Sequence, residues 1–299
     1  MNLKRRDFIK ASAMGVGGIL FGAQQSASAA AATFDPFERV PLGKTGLKPT
    51  RFVLGTGMNG GNRQSNHTRM GKEKFNALIN GCYERGVRAF DLADLYGTHT
   101  FFADAIKGRK REDYLIFSKI WWNGGGIPDA ERPAPDVVVA RFLKELQTDY
   151  IDLLLLHCVT SPNWPTELSS QMESMAKLKS KGILRAVGVS CHSLEALEKA
   201  ASESWVDSVH ARINPYGQSM DGPAAKVAPV LKKIHDAGKG VVGMKIMGEG
   251  HFRHDDEKRD ASVKYALTLG SVSVMAVGCE NLDEVDDFVT RVRKVSKEG

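Results

Sequence analysis

Apolar residues along this chain fall into short continuous runs that alternate with longer stretches of helical period. The strand-length runs cover residues 52–55, 87–92, 114–120, 151–157, 184–190, 206–213, 240–246 and 272–278. Apolar positions three and four apart mark helices over 72–85, 136–147, 166–181, 194–202, 223–237 and 282–294. A run such as Ile151-Asp152-Leu153-Leu154-Leu155-Leu156 is too continuously apolar for a one-sided strand, and it fits a parallel strand covered on both faces. Eight such strands alternating with helices, without a low-complexity linker, predict one α/β domain over residues 34–299. The expected architecture is a (β/α)8 TIM barrel rather than a doubly wound sheet. Ahead of it, residues 35–50 are turn-rich around Gly43-Lys44-Thr45-Gly46 and predict an N-terminal β-hairpin.

The first 29 residues follow a different grammar. Lys4-Arg5-Arg6-Asp7-Phe8-Ile9-Lys10 precedes a weakly apolar run over 11–23 and a small-residue site, Ala27-Ser28-Ala29. A charged start, a short apolar run and an A-x-A site are the anatomy of an export signal. The run falls short of the ~20 residues a membrane span needs. The Arg5-Arg6 pair resembles the twin-arginine pattern of bacteria, which implies export machinery that carries folded proteins and a periplasmic mature chain. The predicted division is a signal peptide over 1–29 and a barrel over 34–299, with no stable span after cleavage.

That reading changes the charge. The leader's Lys4, Arg5, Arg6 and Lys10 against Asp7 hold half of the formal +6, leaving too little to argue for nucleic acid. With 42% hydrophobic and 25% charged residues, disorder and coiled coil are excluded. Four cysteines without a C-x-x-C pair make neither a disulfide scaffold nor a zinc knuckle.

In a (β/α)8 barrel the chemistry sits where strands hand over to the following loops. The second strand candidate leads into Asp91 and Tyr96, the third ends in Lys119 and the fourth in His157. Singly, each has an ordinary structural reading as cap, wall, solvated amine or core histidine. Jointly they suggest a proton donor made from tyrosine. A phenol has a pKa of about 10, and a cation ~4 Å away favours its ionised form by up to ~4 kcal/mol at an effective dielectric near 20. Lys119 supplies the charge, Asp91 holds Lys119 ionised, and His157 orients an oxygen beside Tyr96. Such a site protonates an alkoxide forming on a carbonyl carbon, and the hydride must come from a nicotinamide or flavin.

The stretch from Gly86 through Asp91 and Tyr96 to Gly97 resembles the Asp/Tyr motif of the aldo-keto reductase family. Phe117-Ser118-Lys119 resembles that family's Lys strand, and Asp149-Tyr150-Ile151 through His157 its His strand. Lys181-Gly182 through Ser190 and the Pro41–Leu47 stretch resemble its fifth-strand motif and its N-terminal hairpin. The resemblance runs in order over residues 37–295 and implies NAD(P)H-dependent reduction of a small carbonyl substrate. Tyr96 would be the general acid, with Asp91, Lys119 and His157 as partners. It also implies cofactor-binding roles for Thr56, Ser190, Cys191, His210, Lys245, Gly278 and Glu280, and no metal.

The chain departs from the family at the cofactor. Cys191 stands where the family usually has Asn, His210 where it has Gln, and Ile213 where it has the Tyr on which nicotinamide stacks; Tyr216 is a substitute for that stacking. The last phosphate loop carries Glu280, Asp283, Glu284, Asp286 and Asp287. Such charge should repel a 2′-phosphate, so NADH is expected over NADPH. The same residues also read as plain helix chemistry, with Asn281 as N-cap and Glu284 three residues on. Two rival readings stand beside the reductase. One is a non-turnover cofactor-binding or redox-sensing barrel that keeps the four residues. The other is a metal-assisted hydrolase, which requires His157 to meet His251 or His254.

Overall fold

The structure is a computed structural model in which residues 32–297 are described, so the export leader expected over 1–29 lies outside the described residues. Eight parallel strands close into a barrel in chain order. They are β1 (Phe52–Gly55), β2 (Ala89–Asp91), β3 (Leu115–Ile120), β4 (Ile151–Val159), β5 (Leu184–Cys191), β6 (Ser208–Arg212), β7 (Gly240–Met244) and β8 (Val274–Gly278). The ring closes where Phe52 of β1 pairs with Met275 of β8. One longer helix follows each strand: α1 (Lys72–Arg85), α2 (His99–Ile106), α3 (Pro135–Leu146), α4 (Ser169–Ser180), α5 (Leu194–Ser202), α6 (Ala224–Asp236), α7 (Asp256–Thr268) and α8 (Leu282–Arg293). No helix among the described residues is long and apolar enough to cross a membrane.

Strand alternation divides the core in two. Val53, Ala89, Leu115, Phe117, Leu153 and Leu155 fill the barrel interior with Val242 and Val274. Phe52, Leu54, Phe90, Ile116, Leu154 and Leu156 face the helices instead. The N-terminal hairpin forms as expected: Val40 N–H donates to Pro49 at 2.9 Å and Leu42 N–H to Leu47 at 3.0 Å. Its Val40, Leu42 and Leu47 join the interior cluster and plug the barrel floor. The inward parity of Ala89, Phe117 and Leu155 continues to Asp91, Lys119 and His157, which therefore converge at the top of the interior.

Two helices carried no legible period. The buried residues of α7 are Ser262, Val263, Ala266 and Leu267, too small and polar a stripe to stand out, and α2 is only eight residues long. The expected helix over 166–181 begins earlier and is divided. Pro165 sits in the first turn of Trp164–Glu167, and Leu168, buried against the core at φ −111°, separates that turn from α4. In β4 the register shifts between Leu156 and Val159, which carries the strand past His157.

Candidate active site at the strand C-terminal rim

Lys119, with no exposure, donates to both oxygens of Asp91 at 2.7 and 2.6 Å and to the Leu92 carbonyl at 3.0 Å. Burial alone would raise the Asp91 carboxyl, but the Lys119 charge and His210 outweigh it and hold it down at about 2. Burial in turn draws the Lys119 ammonium below the usual lysine range, against the pull of Asp91.

Tyr96 rides on a one-turn 3-10 helix, Asp94–Tyr96, just past β2. Its hydroxyl lies 3.3 Å from Nε2 of His157, and the two rings meet edge to face at 5.5 Å. Lys119 Nζ sits 5.0 Å from the centre of the Tyr96 ring. The sequence led us to expect Lys119 to lower the phenol's pKa. Instead burial, followed by the Asp91 charge and Cys158, pushes it well above the ordinary value. Burial is the main cause, and the Lys119 charge is meanwhile committed to Asp91 at contact distance. Tyr96 is a protonated phenol. Burial and the Lys119 charge also drive His157 well below the usual histidine range, so its ring is neutral.

Small residues make room for the phenol. A Cβ at Gly57 would fall 2.3 Å from the Tyr96 ring and one at Gly60 would fall 2.7 Å away. Trp121 packs edge to face on His157 at 5.4 Å, and Trp122 Nε1 donates to the His157 carbonyl at 2.7 Å. These aromatic neighbours escaped the sequence reading. Trp121 shares the inward parity of Lys119, and that was the signal available.

A cleft of about 490 Å³ leads from Asp91 and Tyr96 to Lys245, Arg253, Arg259 and Asn281. Of the cofactor residues expected from sequence, Lys245 and Gly278 line it, whereas Thr56, Ser190, Cys191, His210 and Glu280 do not. The physical reasons differ. His210 Nε2 is bonded to Asp91 Oδ1 at 3.1 Å, which makes it part of the ion-pair cluster. Ser190 Oγ accepts from the Cys158 N–H at 2.9 Å. Thr56 Oγ1 donates to the Asp91 carbonyl at 3.0 Å, and Cys191 is buried in the core. Tyr216 packs on Phe252 at 5.2 Å, outside the cleft lining.

The acidic loop is correspondingly different. Glu280 accepts from Asn66 at 2.8 Å and from Arg253 at 3.1 Å, which occupies both its oxygens. Arg253 also pairs with Glu284, Arg85 with Asp286, and Arg259 and Arg291 with Asp287. Asn281 caps α8 by accepting from Glu284 N–H at 2.9 Å, and Glu284 accepts from Glu280 N–H at 2.8 Å. Helix chemistry and arginine pairing thus account for Glu280, Glu284, Asp286 and Asp287, leaving Asp283 as the exposed carboxylate of the loop in the cleft wall, and the paired charges give no basis for a preference for NADH. Arg253 and Arg259 in the cleft wall also escaped the sequence reading.

A nicotinamide dinucleotide matches this cleft by the chemistry of its walls. Lys245, Arg253 and Arg259 are cations in its wall, each paired with a carboxylate (Glu249, Glu280 with Glu284, and Asp287), and the Tyr96 phenol stands at the opposite end.

The site is thus a Tyr–His pair over a buried Lys–Asp pair at the top of a parallel barrel, opening into a cleft that holds both cations and carboxylates. The aldo/keto reductase family model matches residues 51–285, and the chain belongs to that family. Among curated proteins it is 28% identical over 148 residues to the methylglyoxal reductase DkgB of Salmonella typhimurium, covering 48% of this chain and 53% of that enzyme. The chain thus spans about half the length of these methylglyoxal reductases. It is 27% identical over 235 residues to the aldo-keto reductase YhdN of Bacillus subtilis, covering 73% of this chain and 68% of that one. Among solved structures, an aldo-keto reductase of Klebsiella pneumoniae in complex with NADPH superposes with a TM-score of 0.64 at 18% identity. That match covers 87% of this chain and 92% of the other, and shows the fold.

Proposed function

We propose that this chain reduces an aldehyde or ketone to an alcohol, with Tyr96 as the proton donor. One observation carries the reading: the Tyr96 phenol lies 3.3 Å from His157 Nε2 above the buried Lys119–Asp91 pair, at the mouth of a cleft whose wall includes Lys245, Arg253 and Arg259. A bound nicotinamide nucleotide supplies the hydride. Lys245, Arg253 and Arg259 are the residues that would hold its phosphates. Tyr96 hands its proton to the oxygen that gains charge as the carbonyl is reduced. His157 holds that oxygen in line with the phenol, and Lys119 stabilises the phenolate left behind. Lys119, held by Asp91 with its Nζ 5.0 Å from the ring centre, is a fixed charge that need not move to act, which keeps the reorganisation small.

The match to methylglyoxal reductases makes a small, unhindered dicarbonyl the first substrate to try. Oxidation of reduced nicotinamide by the purified barrel with methylglyoxal tests the reading directly. Turnover in the wild type that disappears in Tyr96→Phe supports it, and no oxidation with any small aldehyde contradicts it.

The second part of the proposal is export of the folded barrel to the periplasm by twin-arginine machinery. Its support is the leader sequence alone, Arg5-Arg6 before residues 11–23 and Ala27-Ser28-Ala29. Folded export lets cofactor travel inside the protein. Replacing both arginines by lysine should leave the chain in the cytoplasmic fraction, and unchanged export would overturn this part.

A further inference from the structure

Asp94 stands two residues before Tyr96, on the same 3-10 turn, and its environment exceeds what a turn requires. It is 3% exposed and accepts from two arginines belonging to different elements. Arg63, from the loop after β1, donates through Nε at 3.0 Å, and Arg141 of α3 donates through Nη1 at 3.1 Å and Nη2 at 2.6 Å.

Arg63 also holds the other flank of the tyrosine. Gly97, at φ 67°, packs so close to the Arg63 carbonyl that an added Cβ would lie 1.9 Å from its oxygen. One residue therefore seats the chain two residues before and one residue after Tyr96. The ring itself lies against Gly57 and Gly60 of that same loop.

The network then runs on to the lysine strand. Arg141 Nη1 donates to Glu145 at 2.8 Å, Glu145 is 2.9 Å from His99 Nδ1, and His99 Nε2 is 2.8 Å from Ser118 Oγ. Ser118 is on the outward face of β3, next to Lys119. The Ser118–His99–Glu145 chain has the order of a hydrolytic triad. Ser118 has no exposure and His99 is 3% exposed, so no substrate reaches it and its role is mechanical.

We propose that Asp94, clamped by Arg63 and Arg141, is the positioning residue that aims the Tyr96 phenol at His157 and fixes it relative to Lys119. The inference rests on the reading of Tyr96 as proton donor. Its physical basis is that a planar guanidinium fork fixes a carboxylate in orientation as well as distance, which a lysine does not. Misplacing a reacting group by a fraction of its contact distance slows the chemical step and leaves binding intact.

The test compares Asp94→Asn, Arg141→Lys and Arg141→Ala with wild type, with Arg63→Lys in reserve should Asp94→Asn fail to fold. Three quantities are read: kcat and KM for a small aldehyde, the isotope effect from deuterated reduced nicotinamide, and the ring resonance of Tyr96 in tyrosine-labelled protein, assigned through Tyr96→Phe. We expect kcat to fall by about tenfold or more with KM within about twofold. The isotope effect should rise, the Tyr96 resonance should move, and Arg141→Lys should retain more turnover than Arg141→Ala. Folded variants with wild-type kcat and an unmoved Tyr96 resonance would overturn the proposal. So would a lost kcat with an unmoved resonance, which would mark a purely structural ion pair. If wild-type protein reduces no carbonyl, the reductase reading fails, and the resonance alone decides whether Asp94 positions Tyr96.

Discussion

Lys119 commits its ammonium to Asp91, at 2.7 and 2.6 Å, and reaches Tyr96 only through the ring face, 5.0 Å from its centre. The lysine therefore acts less as a device for ionising tyrosine in advance than as a fixed charge waiting for the phenolate. Every expectation for the site follows from that distinction.

Removing one member of the buried pair should hurt more than removing both. Lys119→Met leaves a carboxylate stranded without water, a loss of about 3–5 kcal/mol. The double variant Lys119→Met with Asp91→Asn should recover part of that loss. Urea unfolding of wild type, Lys119→Met, Asp91→Asn and the double variant measures it, and additive losses would show that the two groups do not depend on each other.

Turnover should be level across neutral pH. Tyr96 stays protonated because its pKa is pushed up, and His157 stays neutral because burial and Lys119 push its pKa down. A pH profile of kcat without an inflection near the ordinary histidine value of about 6.5 is expected. An inflection there would mean that His157 titrates in the working range.

Stability has the opposite sensitivity. His67, His157 and His210 all have folded pKa values below the ordinary one, with burial the main cause, and His192 is lowered to about 4. As pH falls below about 6.5 the unfolded chain binds protons that the folded chain refuses, so stability is lost on acidification. Each such histidine contributes a slope of about 1.4 kcal/mol per pH unit. Melting temperatures should fall between neutral pH and pH ~5, with a shallower fall in His67→Gln. A flat series would contradict it.

Arg253 should govern the nucleotide's adenylate end. Arg253→Ala frees Glu280 and Glu284 from their shared cation. Affinity for NADPH should then fall more than affinity for NADH, since only the former brings a second anion to those carboxylates. Fluorescence titration with both nucleotides measures this, and equal losses would place Arg253 away from the ribose phosphate.

The barrel was legible because its strands are buried on both faces, so continuous runs such as residues 151–157 stand out, and because inward parity sends Asp91, Lys119 and His157 to one rim. What stayed hidden depended on partners distant in sequence. Glu280 reads as a repelling charge until Arg253 is placed beside it, and His210 reads as a cofactor ligand until Asp91 is seen at 3.1 Å. Asp94 lies inside the Asp/Tyr stretch without a role of its own there, and its two arginines lie 31 and 47 residues away. Helix α7 was missed for a local reason, since Ser262 and Ala266 dilute the short buried stripe of Val263 and Leu267.

The most direct measurement of the central claim is the oxidation of reduced nicotinamide with a small aldehyde, by wild type and Tyr96→Phe side by side, with nucleotide binding measured on both. A phenylalanine keeps the ring between Gly57 and Lys119 and removes only the hydroxyl. The account predicts equal nucleotide affinity and a fall in kcat of about 10²–10⁴-fold. Turnover by Tyr96→Phe within a few-fold of wild type would contradict it.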